Sequence, residues 1–126
     1  MLEAEYWTRG AQIFTNAWGD FAGTPLRIKG ASWFGLESGS CTVGGADHTS
    51  LSQLAAWVKA QGINAIRLPL AVDAVLESAG GATAKCQNDG VYYNHNRHFM
   101  GLPYVEQVER FVRILGEHGL LVMLDM

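Results

Sequence analysis

Two segments of this chain carry the same short signature: a glycine, an apolar run, and a charged residue at the run's far end. They are Gly62-Ile-Asn-Ala-Ile-Arg-Leu and Gly119-Leu-Leu-Val-Met-Leu-Asp, and each follows a stretch whose apolar residues have helical spacing. A glycine in that position ends a helix in the left-handed conformation. A short apolar run directly after it suits a buried strand of a parallel sheet. Strand–loop–helix–strand–loop–helix–strand implies βαβ crossovers, so the chain reads as α/β with parallel strands.

The rest of the chain fills in around these two units. Residues 1–10 read as a lead-in. Ala11–Phe14 and Pro25–Lys29 read as a small hairpin, with Asn16, Gly19, Asp20 and Gly23 supplying turn chemistry between them. A first core strand is expected over Arg27–Phe34, then a glycine- and serine-rich loop to Thr49. Ser50, with Gln53 three residues later, has capping-box spacing, and Leu51, Leu54, Ala55 and Val58 share one helical face. After the strand Ile63–Leu70 comes a second long excursion, Ala71–Leu102. Pro103 opens the next helix, with Val105, Val108, Val112 and Leu115 as its stripe and Gly119 as its stop, and a third strand runs over Leu120–Asp125. Connections after strands are long and those after helices are tight. A (β/α) barrel shows this asymmetry when its active face is built from βα loops.

Composition narrows the function classes. The 126 residues suit one domain, with 48% apolar and 17% charged residues, an ordinary globular balance. A net charge of -3 without a lysine/arginine cluster argues against nucleic acid. No apolar stretch approaches the roughly 18 residues of a membrane span. The acidic start, Met-Leu-Glu-Ala-Glu, lacks the apolar core of a signal peptide, so the protein is expected to be intracellular or to carry its leader outside this chain. There is no Walker loop, no GxGxxG and no nucleophile elbow, and no cofactor is expected.

Arg67 is the residue with most chemical meaning. Arginine is costly to bury without an anion, and charged groups at barrel strand ends lean towards catalysis. The competing reading is a structural ion pair with Asp125 of the neighbouring strand. Trp33, Phe34 and Glu37, at the end of the first strand, are core and solvated residues on one reading and a sugar- or small-molecule-binding group on the other. His95 and His98 have metal-like spacing, but nothing near them in sequence completes a site, and no metal is expected. Cys41 and Cys86 fall in the two long loops, where a disulfide and two buried thiols are equal alternatives.

Pro25-Leu-Arg-Ile-Lys-Gly-Ala-Ser-Trp-Phe-Gly-Leu-Glu resembles the first barrel strand of glycoside hydrolase family 5, the cellulase family. Ile63–Leu70 resembles its second strand, whose arginine is a hallmark, and Asn94 through Gly101-Leu102 to Leu120-Leu-Val-Met-Leu-Asp resembles its approach to the third. The resemblance implies an incomplete piece, residues 1–126, of a (β/α)8 TIM barrel: about three strands with a leading β-hairpin. It also implies retaining hydrolysis of β-linked polysaccharide, with Arg67 supporting a nucleophilic glutamate and Trp33, Phe34 and Glu37 near the substrate. A polysaccharide or oligosaccharide is the expected partner, and the full-length protein is expected to be secreted. Both catalytic glutamates are expected beyond Met126, and a complete barrel takes about 250 residues. The chain alone is therefore expected to be inactive. The rival readings are a non-catalytic carbohydrate-binding remnant and a small parallel α/β protein whose Arg67 holds an anionic ligand.

Overall fold

The computed structural model describes residues 4–17, 19–20, 22–79 and 93–126. Two small sheets make up its strands. The first is antiparallel: β1 (Tyr6–Arg9), β2 (Gln12–Thr15) and β3 (Thr24–Pro25), in that order. The second is wholly parallel, with β4 (Gly30–Ser32), β5 (Ala65–Pro69) and β6 (Leu121–Asp125) side by side. Among the described residues, three α-helices connect these strands: α1 (Leu51–Ala60), α2 (Val72–Ala79) and α3 (Tyr104–Glu117).

The parallel sheet and its two glycine stops match the sequence expectation. Ser50 caps α1 through its side-chain oxygen, which accepts from the Gln53 N–H at 3.2 Å. Gly62 and Gly119 sit at φ of 82° and 72° just past α1 and α3, where a side chain would be strained. Asn64 then ties the strand starts together. Its side chain accepts from the Lys29 N–H at 2.8 Å and donates to the Arg27 carbonyl at 2.7 Å, extending the β4–β5 ladder backwards.

Three expectations need correction. The hairpin begins earlier than its sequence suggests: β1 lies in the supposed lead-in and pairs with β2 along their length, from Tyr6↔Thr15 to Arg9↔Gln12. The pairing expected with Pro25–Lys29 reduces to Phe14↔Pro25 and Thr15↔Thr24. Cross-strand stacking decides the matter, since Trp7 lies over Phe14 at 6.3 Å between ring centres and the Arg9 guanidinium lies 5.2 Å from the centre of the same ring. Second, β4 covers three residues rather than the eight of Arg27–Phe34. Third, Ala71–Leu102 is not wholly a loop, because α2 occupies Val72–Ala79 and a 3-10 turn occupies Arg97–Phe99.

The core forms between one face of the parallel sheet and the helices. Ile66 and Leu68 of β5 meet Leu51 and Ala55 of α1 and Val108, Phe111 and Leu115 of α3 in it. The buried face of α3 keeps Val108 and Leu115 of the stripe expected from sequence and adds Tyr104 and Phe111, while Val105 and Val112 are half-buried. Burying the two large aromatic side chains removes more apolar area from water than burying two valines.

One buried polar residue holds the upper loops together. Asn96, only 2% exposed, accepts from the Leu51 N–H at 2.8 Å and donates to the carbonyls of Ala46 at 2.9 Å and Thr49 at 3.1 Å. It thereby stitches the segment before α3 to the loop that feeds α1. Replacing Asn96 by Ala strands two buried backbone groups and a half-buried one, and the expected loss is about 3 kcal/mol of unfolding free energy, read by chemical denaturation.

Candidate active site

Alternation along β5 settles which way Arg67 faces. Ile66 and Leu68 turn towards the helices, so Arg67 projects from the opposite, helix-free face of the sheet. It borders a broad open concavity of about 1230 Å3, lined also by Ser32, Ala65, Leu121 and Met123, which extends to Ile66 and to Val112 and Gly116 of α3. Tyr6 of the small antiparallel sheet, and Asn16 and Ala17 just after its strand β2, line the same concavity.

The arginine is held from both sides. Ser32 is the register partner of Arg67 on β4, and Asp125 lies opposite Pro69 on β6, on the same face as Arg67. Arg67 Nε donates to Asp125 Oδ2 at 2.8 Å, Nη2 donates to the same oxygen, and Nη1 donates to Ser32 Oγ at 3.3 Å. Both charged side chains remain 42% exposed. The ion pair weighed from the sequence is therefore present, but it lies where the sheet is open and does not bury the charge.

At the carboxyl end of β4, the aromatic pair divides its roles. Trp33 turns its ring edge-on to Phe111, with centroids 5.1 Å apart, and donates its indole N–H to the Gly44 carbonyl at 2.9 Å. Phe34 is left 69% exposed at the end of the sheet. Gly44 N–H donates to the Phe34 carbonyl at 2.9 Å, so the loop between them closes on itself. At its neck, a Cβ on Gly35 would lie 2.1 Å from the Thr42 carbonyl oxygen, so only glycine fits. Glu37 is engaged locally, accepting from the Gly35 N–H at 2.7 Å. Cys41, buried in the same loop, is in a disulfide rather than a free thiol. Cys86 lies outside the described residues.

Tyr104 joins the loops that follow β4 and β5, a role the sequence reading missed. From the first turn of α3 its hydroxyl donates to the Leu36 carbonyl at 2.6 Å and accepts from the Ala71 N–H at 3.2 Å. A tyrosine directly after a helix-opening proline was the available signal. Burial pushes its phenol above the ordinary value, the Ala71 N–H opposes that, and the charges of Glu37 and Asp73 add to it.

Among the described residues, the only carboxylate bonded to Arg67 is that of Asp125. Glu106, Glu109 and Glu117 lie exposed on α3, and Glu5 accepts from the Asn16 side chain at 3.4 Å. Among the described residues, no cluster of His, Cys, Asp or Glu could hold a metal ion. His95 and His98 are exposed, and burial with the charge of Arg110 lowers the His98 pKa. No described helix is long and apolar enough to cross a membrane.

No family model matches the sequence. An endoglucanase of Paenibacillus polymyxa is 28% identical over 124 residues, covering 98% of this chain and 28% of that protein. The endocellulase of Pyrococcus horikoshii superposes with a TM-score of 0.74 at 29% identity, over 96% of this chain and 30% of its own. The same endocellulase in complex with cellotetraose gives 0.72 at 28%, with the same coverages. The catalytic domain of the major endoglucanase from Xanthomonas campestris gives 0.67 at 26% identity, over 83% of this chain and 28% of that one. By sequence and by fold, the chain is cellulase-like. It spans under a third of the length of each of these relatives.

The raised Tyr104 value fixes a sign. A phenol that is harder to ionise when folded stabilises the fold below the unfolded value, near 10, and that contribution is lost as pH rises through the folded value. Unfolding free energy should fall above pH 10 in a titration of stability against pH. Tyr104→Phe should cost about 1 kcal/mol at neutral pH and remove that alkaline decline.

Proposed function

We propose that this chain is the amino-terminal portion of a family 5-type glycoside hydrolase that cleaves β-linked glucan with retention of configuration. The observation that carries the reading is Arg67, projecting from the helix-free face of a parallel sheet in a chain whose likeness is to endoglucanases. In a closed (β/α) barrel that face would be the interior, and strand-end charges there meet the substrate.

Retaining hydrolysis needs two carboxyl groups about 5 Å apart. One attacks the anomeric carbon while the other protonates the departing glycosidic oxygen. Water then attacks the glycosyl–enzyme ester, giving its proton to the second group and releasing the first. We assign both groups to strands later than β6. This chain's part is then electrostatic. The permanently charged guanidinium of Arg67 stabilises the nucleophile as carboxylate, both before attack and when hydrolysis of the ester returns the negative charge to it. Phe34, exposed beside that face, offers a flat apolar surface on which a sugar ring can stack. Trp33 serves from beneath, by bracing the loop that carries Phe34.

Activity on a soluble β-1,4-glucan tests the reading. The enzyme that contains this segment should release reducing ends. Arg67→Ala should lower kcat by about 10²- to 10³-fold, and Phe34→Ala should raise KM by about 3- to 10-fold through a lost stacking contact. The purified 126-residue chain should show no turnover. Hydrolysis by that chain alone, or an inert parent enzyme, would contradict the assignment.

A further inference from the structure

The geometry points to Asp125 as the positioning residue for Arg67, with Ser32 as its junior partner. This rests on the hydrolase reading above and adds the residue on which the arginine's electrostatic role depends.

An arginine side chain has large rotamer freedom and, half exposed, would spread its charge over many orientations. The sheet prevents this by register. Ser32 on β4 and Asp125 on β6 flank Arg67 on one face, each from a different neighbouring strand. Asp125 Oδ2 accepts both from Nε, at 2.8 Å, and from Nη2, which fixes the guanidinium plane. Ser32 Oγ, 3.3 Å from Nη1, limits rotation at the other side. Among the described residues, the remaining guanidinium N–H groups have no protein acceptor, and Arg67 lines the open concavity. A planar fork held in this way presents a fixed edge to an incoming carboxylate.

Stability is a weak explanation for the pair. Each partner is 42% exposed, and ion pairs in water contribute little to folding. Asp125 also forms its strand bond independently of its side chain, since its carbonyl accepts from the Leu70 N–H at 2.7 Å. The carboxylate can therefore be removed without disturbing the ladder, and what should change is the aim of Arg67.

Three forms of the parent enzyme separate positioning from charge and from folding: wild type, Asp125→Ala and Asp125→Asn. Asp125→Ala loses the grip on Arg67 and should lower kcat by about 10- to 100-fold. Its KM should stay within about twofold, and its Tm should remain above the assay temperature. Asp125→Asn keeps an acceptor oxygen at the same place, and its kcat should stay within about threefold of wild type. The proposal is overturned by an Asp125→Ala enzyme with wild-type kcat, by a loss that merely follows the unfolded fraction, or by an Asn variant as impaired as the Ala variant. An inactive wild type is a different result, one that removes the hydrolase reading and this proposal together.

Discussion

A charged side chain in the middle of a parallel strand must find its acceptors on the adjacent strands, and the rest of this structure depends on that constraint at Arg67. Its neighbours on β5, Ile66 and Leu68, commit one sheet face to the helices. The opposite face then receives the guanidinium, and the register of β4 and β6 decides what it meets. Ser32 and Asp125 supply oxygen on either side. A one-residue slip of either strand would turn that oxygen to the other face.

The loops above the sheet are tied with comparable economy. Tyr104 links the connections that follow β4 and β5 through one hydroxyl. Asn96 joins the approach to α3 with the entry to α1 through one amide. Both residues belong to the region just before or at the start of α3, so docking that helix also sets the loops. Trp33 completes the arrangement, packing on Phe111 of α3 and holding the Gly44 carbonyl beneath the exposed Phe34. Core packing and the shape of the candidate cleft are therefore one set of contacts.

Those parts of the fold governed by neighbouring residues were legible in the sequence. The Ser50 cap, the stops at Gly62 and Gly119, and the runs that became β5 and β6 rely on local chemistry. What escaped depends on distant partners. β1 gains its identity by stacking Trp7 on Phe14 across the hairpin. α2 buries only Ala74 fully and leaves Val72 and Leu76 exposed, so its apolar spacing was diluted by the glycine-rich residues after it. The division between an inward Trp33 and an outward Phe34, just past β4, depends on the distant Phe111 and Gly44 that hold the indole. Arg67 and Asp125 could be paired on paper because each ends a similar unit. That Ser32 joins them required the register.

The central claim is that Arg67 supports a nucleophilic carboxylate supplied by another part of the enzyme. A crystal structure of the parent enzyme, trapped as its glycosyl–enzyme ester with a fluorinated β-glucoside, tests this most directly. The account predicts a guanidinium nitrogen of Arg67 within hydrogen-bonding distance, about 2.7–3.2 Å, of the labelled carboxyl group. A labelled residue remote from Arg67, or an enzyme that the reagent does not label, would contradict it.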